Sequence, residues 1–329
     1  MIIGITKSED NKETRTPITP TTIQNLIQLG HTFLIQKDIG KKSYFSNLDY
    51  KTAGAKITNA HQIYKTSNII ITFAPPPITI LKQLSPNQIL ISNFNNNSSL
   101  LPKTQATIIQ LEKTPRTSYY QNIDTLTSQA LPRGYCAALF ALLKSPQIAP
   151  LLFTPSVSLH KSKALVIGAS ITGLESASLL KKNGADTFIL DKLNSSQELA
   201  SSVGANFIHS TPHLDLSFHL KDKDIIITSV TSLPKNSSPI ITPKHLLSLK
   251  KGAIIIDTTP NNISIPKDHY QKSTYTFYRN PYFERLSPQT SSILFSSNIE
   301  NLIKLLLPYP DSNPDFSHLK PMLSPQKKE

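Results

Sequence analysis

Short apolar runs of strand length recur along the first third of the chain, separated by polar turns and helical patterns. They predict strands over residues 2–6, 32–36, 69–73, 89–92 and 107–110. A helix is expected to start at Pro20 and to end at Gly30, and another is expected over residues 49–54. Strands that alternate with helices form a parallel sheet covered on both faces. This region of the chain is therefore predicted to be a doubly wound domain.

The same alternation returns after residue 160. Strands are predicted over residues 164–167, 187–190, 206–209, 224–229, 253–257 and 274–279. A last helix over residues 291–307 is expected to pack back on the first domain. The predicted fold class is α/β, with two doubly wound, Rossmann-like, parallel-sheet domains and an interdomain cleft. One domain comprises residues 1–130 with 290–329, and the other comprises residues 131–289.

A polar and aromatic segment, residues 114–138, lies between the two patterns. It is predicted to be a loop between the domains, and a helix is expected to begin only after Gly134. A second loop is predicted over residues 146–160. Both segments are interpreted as connections, because neither shows the apolar periodicity of a buried element.

The stretch at residues 163–191 has the strongest motif, KALVIGASITGLESASLLKKNGADTFILD. It reads as a strand, a glycine turn, a helix, a second strand and an acidic residue. This order is typical of the unit that holds a dinucleotide at a helix N-terminus. The alternative is a βαβ unit without a nucleotide, which other α/β folds also contain.

Three positions of this turn and one acid define the expected chemistry. Gly168 permits the turn, and Gly173 lets the helix approach the strand. Ser170 stands where the fingerprint has its middle glycine, at the point where the backbone comes nearest the pyrophosphate. Asp191 has the spacing of the acid that accepts hydrogen bonds from the adenosine ribose, which favours NAD over NADP.

Composition and charge exclude several classes of function. The chain has 329 residues, a net charge of +13 and 38% hydrophobic residues, enough for one large or two medium domains. Its basic residues are scattered, so nucleic-acid binding is not expected. Cys136 is the only cysteine, which excludes a disulfide framework and a cysteine zinc site and suits a reducing compartment. No run approaches the roughly 18 apolar residues of a membrane helix, and a cytoplasmic location is expected.

Motifs spread over most of residues 1–307 resemble one family. They include Glu13-Thr-Arg15, the pair Gly204-Ala205 and the helix that follows Leu286. The chain resembles the NAD(H)-binding domain of the alpha subunit of proton-translocating nicotinamide nucleotide transhydrogenase, whose two-domain fold is shared by alanine dehydrogenase. The resemblance implies nucleotide binding in the second domain, at Gly168, Ser170, Ile171, Gly173, Asp191, Lys192 and Thr228.

The resemblance is most specific within residues 115–127. The family has a loop there that holds the nicotinamide end of the nucleotide. By resemblance, Arg116, Gln121 and Asp124 are the catalytic residues of this loop, and Thr127 binds the cofactor with its hydroxyl. Hydride transfer needs no acid or base, so hydrogen bonds that orient the ring and ribose suffice. The alternative is a polar loop with helix caps.

The resemblance implies hydride transfer between NADH and NADP+ held by a partner subunit with a membrane domain. It also implies a homodimer that is peripheral at the inner membrane through that partner. One alternative is a nucleotide-binding pseudoenzyme, because Ser170 and a short segment at residues 210–224 depart from the family pattern. A less favoured alternative is alanine dehydrogenase, whose keto-acid lysine, histidine and catalytic aspartate are replaced here by Ala74, residues 95–97 and Asn261.

Overall fold

The structure is a computed structural model that describes residues 1–94, 101, 104–230, 238–260, 262–309 and 312–324. The chain divides into two compact units. The first unit comprises Met1–Gln129 and Ser287–Glu329, and the second comprises Ala130–Leu286. Each unit contains its own α/β sheet.

The first unit has a six-stranded sheet in the order β3-β2-β1-β4-β5-β6, in which every pair of neighbours is parallel. This is the strand order of a doubly wound fold. The strands are almost wholly buried, which explains why they read as continuous isoleucine-rich runs. Their bounds are β1 Ile2–Ile5, β2 Thr32–Gln36, β3 Lys56–Thr58, β4 Ile69–Ile71, β5 Ile89–Ser92 and β6 Thr107–Gln110.

Helices cover this sheet, and the last long helix of the chain is one of them. Its buried residues Phe295, Ile299 and Leu302 join the same core cluster as Ile3 and Ile5 of the central strand. The helices are α1 Pro20–Ile27, α2 Asn47–Thr52, α3 Ala60–Thr66, α4 Ile78–Leu81, α5 Thr125–Lys144, which continues into the second unit, and α10 Pro288–Leu306.

The second unit has a seven-stranded sheet in the order β11-β10-β9-β12-β13-β15-β14. All neighbours are parallel except β14, which runs antiparallel to β15. The strands are β9 Lys163–Ile167, β10 Asp186–Asp191, β11 Asn206–His209, β12 Ile225–Thr228, β13 Ala253–Asp257, β14 His269–Gln271 and β15 Tyr275–Arg279, with a separate hairpin of β7 Leu152–Phe153 and β8 Ser158–Leu159.

Helices of the second unit lie against both faces of its sheet. The helix after the glycine turn is held to the preceding long helix by two side-chain bonds. Thr172 Oγ donates to the Ala130 carbonyl at 3.2 Å, and Ser176 Oγ donates to the Gly134 carbonyl at 2.9 Å. The helices here are α6 Ile171–Lys182, α7 Ser196–Ser202, α8 Leu216–Leu220 and α9 Pro243–Leu247.

The long helix α5 corrects the prediction of a loop over residues 114–138. It begins at Thr125, well before Gly134, and it contains Pro132. The Asp124 carboxylate accepts from the amides of Leu126 and Thr127 at 3.0 and 3.1 Å, so it caps the helix start. The polar residues of this segment therefore form a helix start instead of a loop.

Candidate functional site

The strand order of the second unit reverses beside β9. This strand lies between β10 and β12, so the chain leaves it in one direction and returns on its other side. In doubly wound sheets, ligands bind beyond the carboxyl ends of the strands at this switch point. The residues that follow β9 and β12, at 168–170 and 229–230, lie at that position. They include most of the residues of the predicted fingerprint.

The two glycines of the turn meet close backbone contacts. Gly168 has φ of +101°, and a Cβ added there would lie 2.9 Å from the Ser229 carbonyl oxygen. A Cβ on Gly173 would lie 2.0 Å from the Gly168 carbonyl oxygen. Side chains at either position would force the turn, the helix and strand β12 apart. The sequence requirement for glycine thus has a direct steric cause at both positions.

Ser170 is the N-cap of α6, with φ of −67° and ψ of 167°. Its Oγ accepts from the Gly173 amide at 3.2 Å and lies 2.5 Å from Ser229 Oγ. Ile171, the next residue, is the first residue of the helix and is exposed. The middle position of the fingerprint is thus occupied by a side chain that satisfies an amide of the helix N-terminus.

Asp191 is the last residue of β10, and its carboxylate is fixed beside the glycine turn. One oxygen accepts from the Ala169 amide at 2.8 Å, and the other accepts from the Leu193 amide at 2.9 Å. Each carboxylate oxygen keeps a second lone pair that can accept a hydroxyl. Lys192 is exposed, and its carbonyl lies 3.1 Å from Nε2 of His209. Because a carbonyl can only accept, the proton of this bond is on Nε2.

Thr228 is fully buried, and its hydroxyl donates to Asp257 at 2.8 Å. The same carboxylate accepts from Arg279 Nε at 3.1 Å. These residues end strands β12, β13 and β15, so they form a row along the carboxyl edge of the sheet. Burial raises the pKa of Asp257, although Thr228 and Arg279 act in the opposite direction. The hydroxyl of Thr228 is thus bonded within the protein, and its backbone remains beside the turn.

The predicted nicotinamide loop belongs to the first unit. Arg116 and Gln121 are exposed, whereas Asp124 is buried. Thr127 Oγ donates to the Asp124 carboxylate at 2.6 Å, so the two residues form a hydrogen-bonded pair at the start of α5. The structure thus brings Asp124 and Thr127 together as a helix cap. It places Gly168, Ser170, Ile171, Gly173, Asp191 and Lys192 around one turn of the second unit.

Two domain families match almost the whole chain. Residues 4–131 match the alanine dehydrogenase/PNT N-terminal domain, and residues 140–315 match the alanine dehydrogenase/PNT C-terminal domain. The chain belongs to the alanine dehydrogenase/PNT family. This confirms the family that the motifs of the sequence indicated.

Curated relatives of this family carry two kinds of name. The chain is 26% identical to the NAD(P) transhydrogenase subunit alpha of Haemophilus influenzae, over 95% of this chain and 67% of that protein. It is also 26% identical to the first portion of the NAD(P) transhydrogenase subunit alpha of Rickettsia prowazekii, over 98% of this chain and 94% of that protein. The alanine dehydrogenase of Staphylococcus saprophyticus is 25% identical, over 90% of this chain and 85% of that protein.

Solved structures confirm the fold. The transhydrogenase from Sinorhizobium meliloti has a TM-score of 0.86 at 22% identity, over 92% of this chain and 93% of that chain. An L-alanine dehydrogenase has a TM-score of 0.79 at 19% identity, over 93% of this chain and 90% of that chain. Within the described residues, no helix has the length and apolar content needed to cross a membrane.

One family motif, Glu13-Thr-Arg15, forms a tight ion pair in the first unit. Arg15 Nε and Nη2 donate to the two carboxylate oxygens of Glu13 at 2.7 and 2.8 Å. Nη1 donates to Gln129 at 2.8 Å, and the guanidinium lies 4.6 Å from the ring centre of Phe73. The charge of Arg15 is thus balanced within this alanine dehydrogenase/PNT chain. Nearby Ala74 is half-buried, whereas residues 95–97 and Asn261 lie outside the described residues.

Sequence reasoning did not identify Ser229. This residue is fully buried, and its hydroxyl is the partner of Ser170 at the switch point. Its position gives a signal that could have found it, because it follows strand β12 directly as Gly168 follows β9. In a doubly wound family, the first residue after each strand at the switch point is a candidate for the site.

Proposed function

We propose that this chain is the NAD(H)-binding component of a proton-translocating transhydrogenase. In this proposal NADH bound to the chain gives a hydride to NADP+ held by a separate partner subunit, whose membrane domain moves protons. The relatives named NAD(P) transhydrogenase subunit alpha support this reaction. The partner would also keep the chain at the cytoplasmic side of the inner membrane.

The observation that carries the proposal is the glycine turn of the second unit with its fixed carboxylate. The turn brings the start of α6 to the switch point, where backbone amides and the helix dipole favour a diphosphate. Asp191 is held beside it by the Ala169 amide at 2.8 Å, in the position from which it would accept ribose hydroxyls. Both features favour a dinucleotide with an unmodified ribose, namely NAD(H).

The loop at residues 115–127 would act on the nicotinamide end, as the resemblance implies. Arg116 and Gln121 are exposed, so their side chains are accessible to a ligand. Asp124 is buried and bonded to Thr127 and to two backbone amides, so we assign it a positioning role. The protein groups would orient the nicotinamide, and the bound cofactor supplies the hydride.

An amino-acid dehydrogenase is a weaker candidate. Such an enzyme needs a cation free to hold the carboxylate of its keto acid and a base to move a proton. Arg15 instead donates to both carboxylate oxygens of Glu13, and Ala74 replaces the lysine of that site. A nucleotide-binding pseudoenzyme is the second candidate, because the Ser170 hydroxyl occupies an amide that a phosphate would otherwise use.

A homodimer is supported by an apolar stripe on α5, within the second unit. Leu131, Tyr135, Leu139 and Leu143 follow one another at four-residue spacing, with exposed fractions of 42%, 44%, 41% and 78%. Residues at this spacing share one face of a helix. The stripe is symmetric about residue 137, so two copies of α5 packed antiparallel would present the same apolar groups to each other. Self-complementary surfaces of this kind form two-fold dimers.

Three assays test the proposed reaction. Calorimetry of the purified chain should show NADH binding. With a cognate NADP-binding subunit, NADH should reduce an NADP analogue; alone, with pyruvate and ammonia, the chain should not oxidise NADH. Robust oxidation in that last assay would establish an amino-acid dehydrogenase instead. NADH binding with no turnover in either assay would establish the pseudoenzyme.

A further inference from the structure

We propose that Ser170 makes this site hold a nucleotide chiefly by its adenosine end. Its hydroxyl takes the place at the helix N-terminus that a diphosphate oxygen would occupy. Phosphate groups therefore add less to binding here than in a site with glycine at this position. The inference rests on the proposed function, because it concerns the same nucleotide site.

The protein already uses most of the amides around the turn. Gly168 N donates to the Leu190 carbonyl at 2.8 Å, and Ala169 N donates to Asp191 at 2.8 Å. Leu174 N donates to the Ser170 carbonyl at 2.8 Å, which closes the first turn of α6. Gly173 N donates to Ser170 Oγ. Of these donors, only the last is bonded to a side chain that a single substitution removes without disturbing the acid or the backbone.

Two contacts hold the Ser170 side chain over the helix start. Its Oγ accepts from the Gly173 amide at 3.2 Å and lies 2.5 Å from Ser229 Oγ. Ser229 is fully buried, and its amide donates to the Ile167 carbonyl at 2.8 Å, so it is a fixed partner. A ligand phosphate that approached Gly173 N would have to displace a hydroxyl held from two sides.

The adenosine end of the site does not depend on Ser170. The Asp191 carboxylate is fixed by the amides of Ala169 and Leu193. None of the bonds described for Ser170 involves that carboxylate. The serine therefore acts on phosphate contacts alone, and its effect should differ between ligands with and without phosphates.

The experiment compares adenosine, ADP and NADH by calorimetry at fixed salt. In Ser170→Gly the Gly173 amide is released, and the variant should fold because glycine is itself an accepted cap residue. A regained charge-assisted hydrogen bond should raise the ADP-to-adenosine affinity ratio roughly 5- to 150-fold, with adenosine affinity unchanged within about twofold. Ser229→Ala removes one of the two holds and should raise the ratio by a smaller factor.

Ser178→Gly is the matched control, since it makes the same substitution in the middle of α6. It should lower helix stability and leave the ligand ratio unchanged. An unchanged or lower ratio in Ser170→Gly would overturn the inference and make the serine a phosphate ligand. If adenosine, ADP and NADH all fail to bind both the native chain and Ser170→Gly, the proposed nucleotide function itself is wrong.

Discussion

Replacing Gly168 with alanine should destabilise the second unit and remove nucleotide binding, for two separable reasons. The first is backbone strain, since φ of +101° is a conformation that side chains disfavour. Left-handed backbone costs about 1–2 kcal/mol for a residue with a Cβ. The second is a clash, because the new Cβ would lie 2.9 Å from both the Ser229 carbonyl oxygen and Val230 Cγ2. Overpacking of this kind costs about 1–3 kcal/mol, so the expected total is about 2–5 kcal/mol.

Gly204→Ala separates the two reasons. Gly204 also has positive φ, of +72°, but its added Cβ would meet only the Lys181 side chain, at 3.5 Å and beyond. This variant should therefore show strain alone, about 1–2 kcal/mol. Urea denaturation followed by circular dichroism gives the unfolding free energy, with separate transitions fitted if the two units unfold independently.

Nucleotide titration of the same two variants completes the test. Gly204→Ala should bind NADH as the native chain does, because its position is remote from the turn in sequence and has no contact with it among the described bonds. Gly168→Ala should lose binding, because the turn that presents the helix amides is displaced. Equal destabilisation of both variants would refute the clash. Native NADH affinity in a folded Gly168→Ala would refute the placement of the nucleotide at this turn.

Three further substitutions address the ribose contact, the buried ion pair and the dimer. Asp191→Asn should narrow the preference for NADH over NADPH, measured as paired dissociation constants, because it removes the charge that repels a 2′-phosphate. Asp257→Asn should lower the unfolding free energy by about 3–5 kcal/mol, since it leaves a buried guanidinium without its carboxylate, whereas Asp268→Asn, at a carboxylate with 83% exposure, should change it little. Burial raises the pKa of Asp257, so native stability should fall as pH rises above the ordinary Asp value of about 4, and a stability–pH profile of Asp257→Asn should lack that fall. Leu139→Asp should convert dimers to monomers in light scattering, and Leu247→Asp, at a residue with 79% exposure on α9, should not.

Strands with buried isoleucines were predictable from the sequence. The prediction over residues 253–257 coincides with β13, all of whose residues are buried. Buried parallel strands read as continuous apolar runs, so the pattern and the structure agree there. In contrast, β14 at His269–Gln271 is exposed throughout and was not predicted. It is recognisable only from its antiparallel pairing with β15, which depends on residues elsewhere in the chain.

The candidate site was predictable in its glycines but not in its polar side chains. Gly168 and Gly173 follow from spacing, because steric limits act on the backbone alone. The roles of Ser170, Thr228 and Asp124 depend on which partner each reaches in space. Ser170 bonds to Gly173 and Ser229, and Thr228 turns its hydroxyl into the sheet edge. A polar residue has several possible partners, and only packing decides among them.

The two units show why one strand order yields one nucleotide site. Both sheets reverse direction beside their first parallel strand, β1 or β9. In the second unit, residues 168–170 alone separate β9 from α6, so the helix amides lie at the strand end. In the first unit, residues 6–19 separate β1 from α1, and within them Glu13 and Arg15 pair with each other. A helix N-terminus reaches the switch point only when the connection is short. The site therefore follows from three residues of loop and not from the fold.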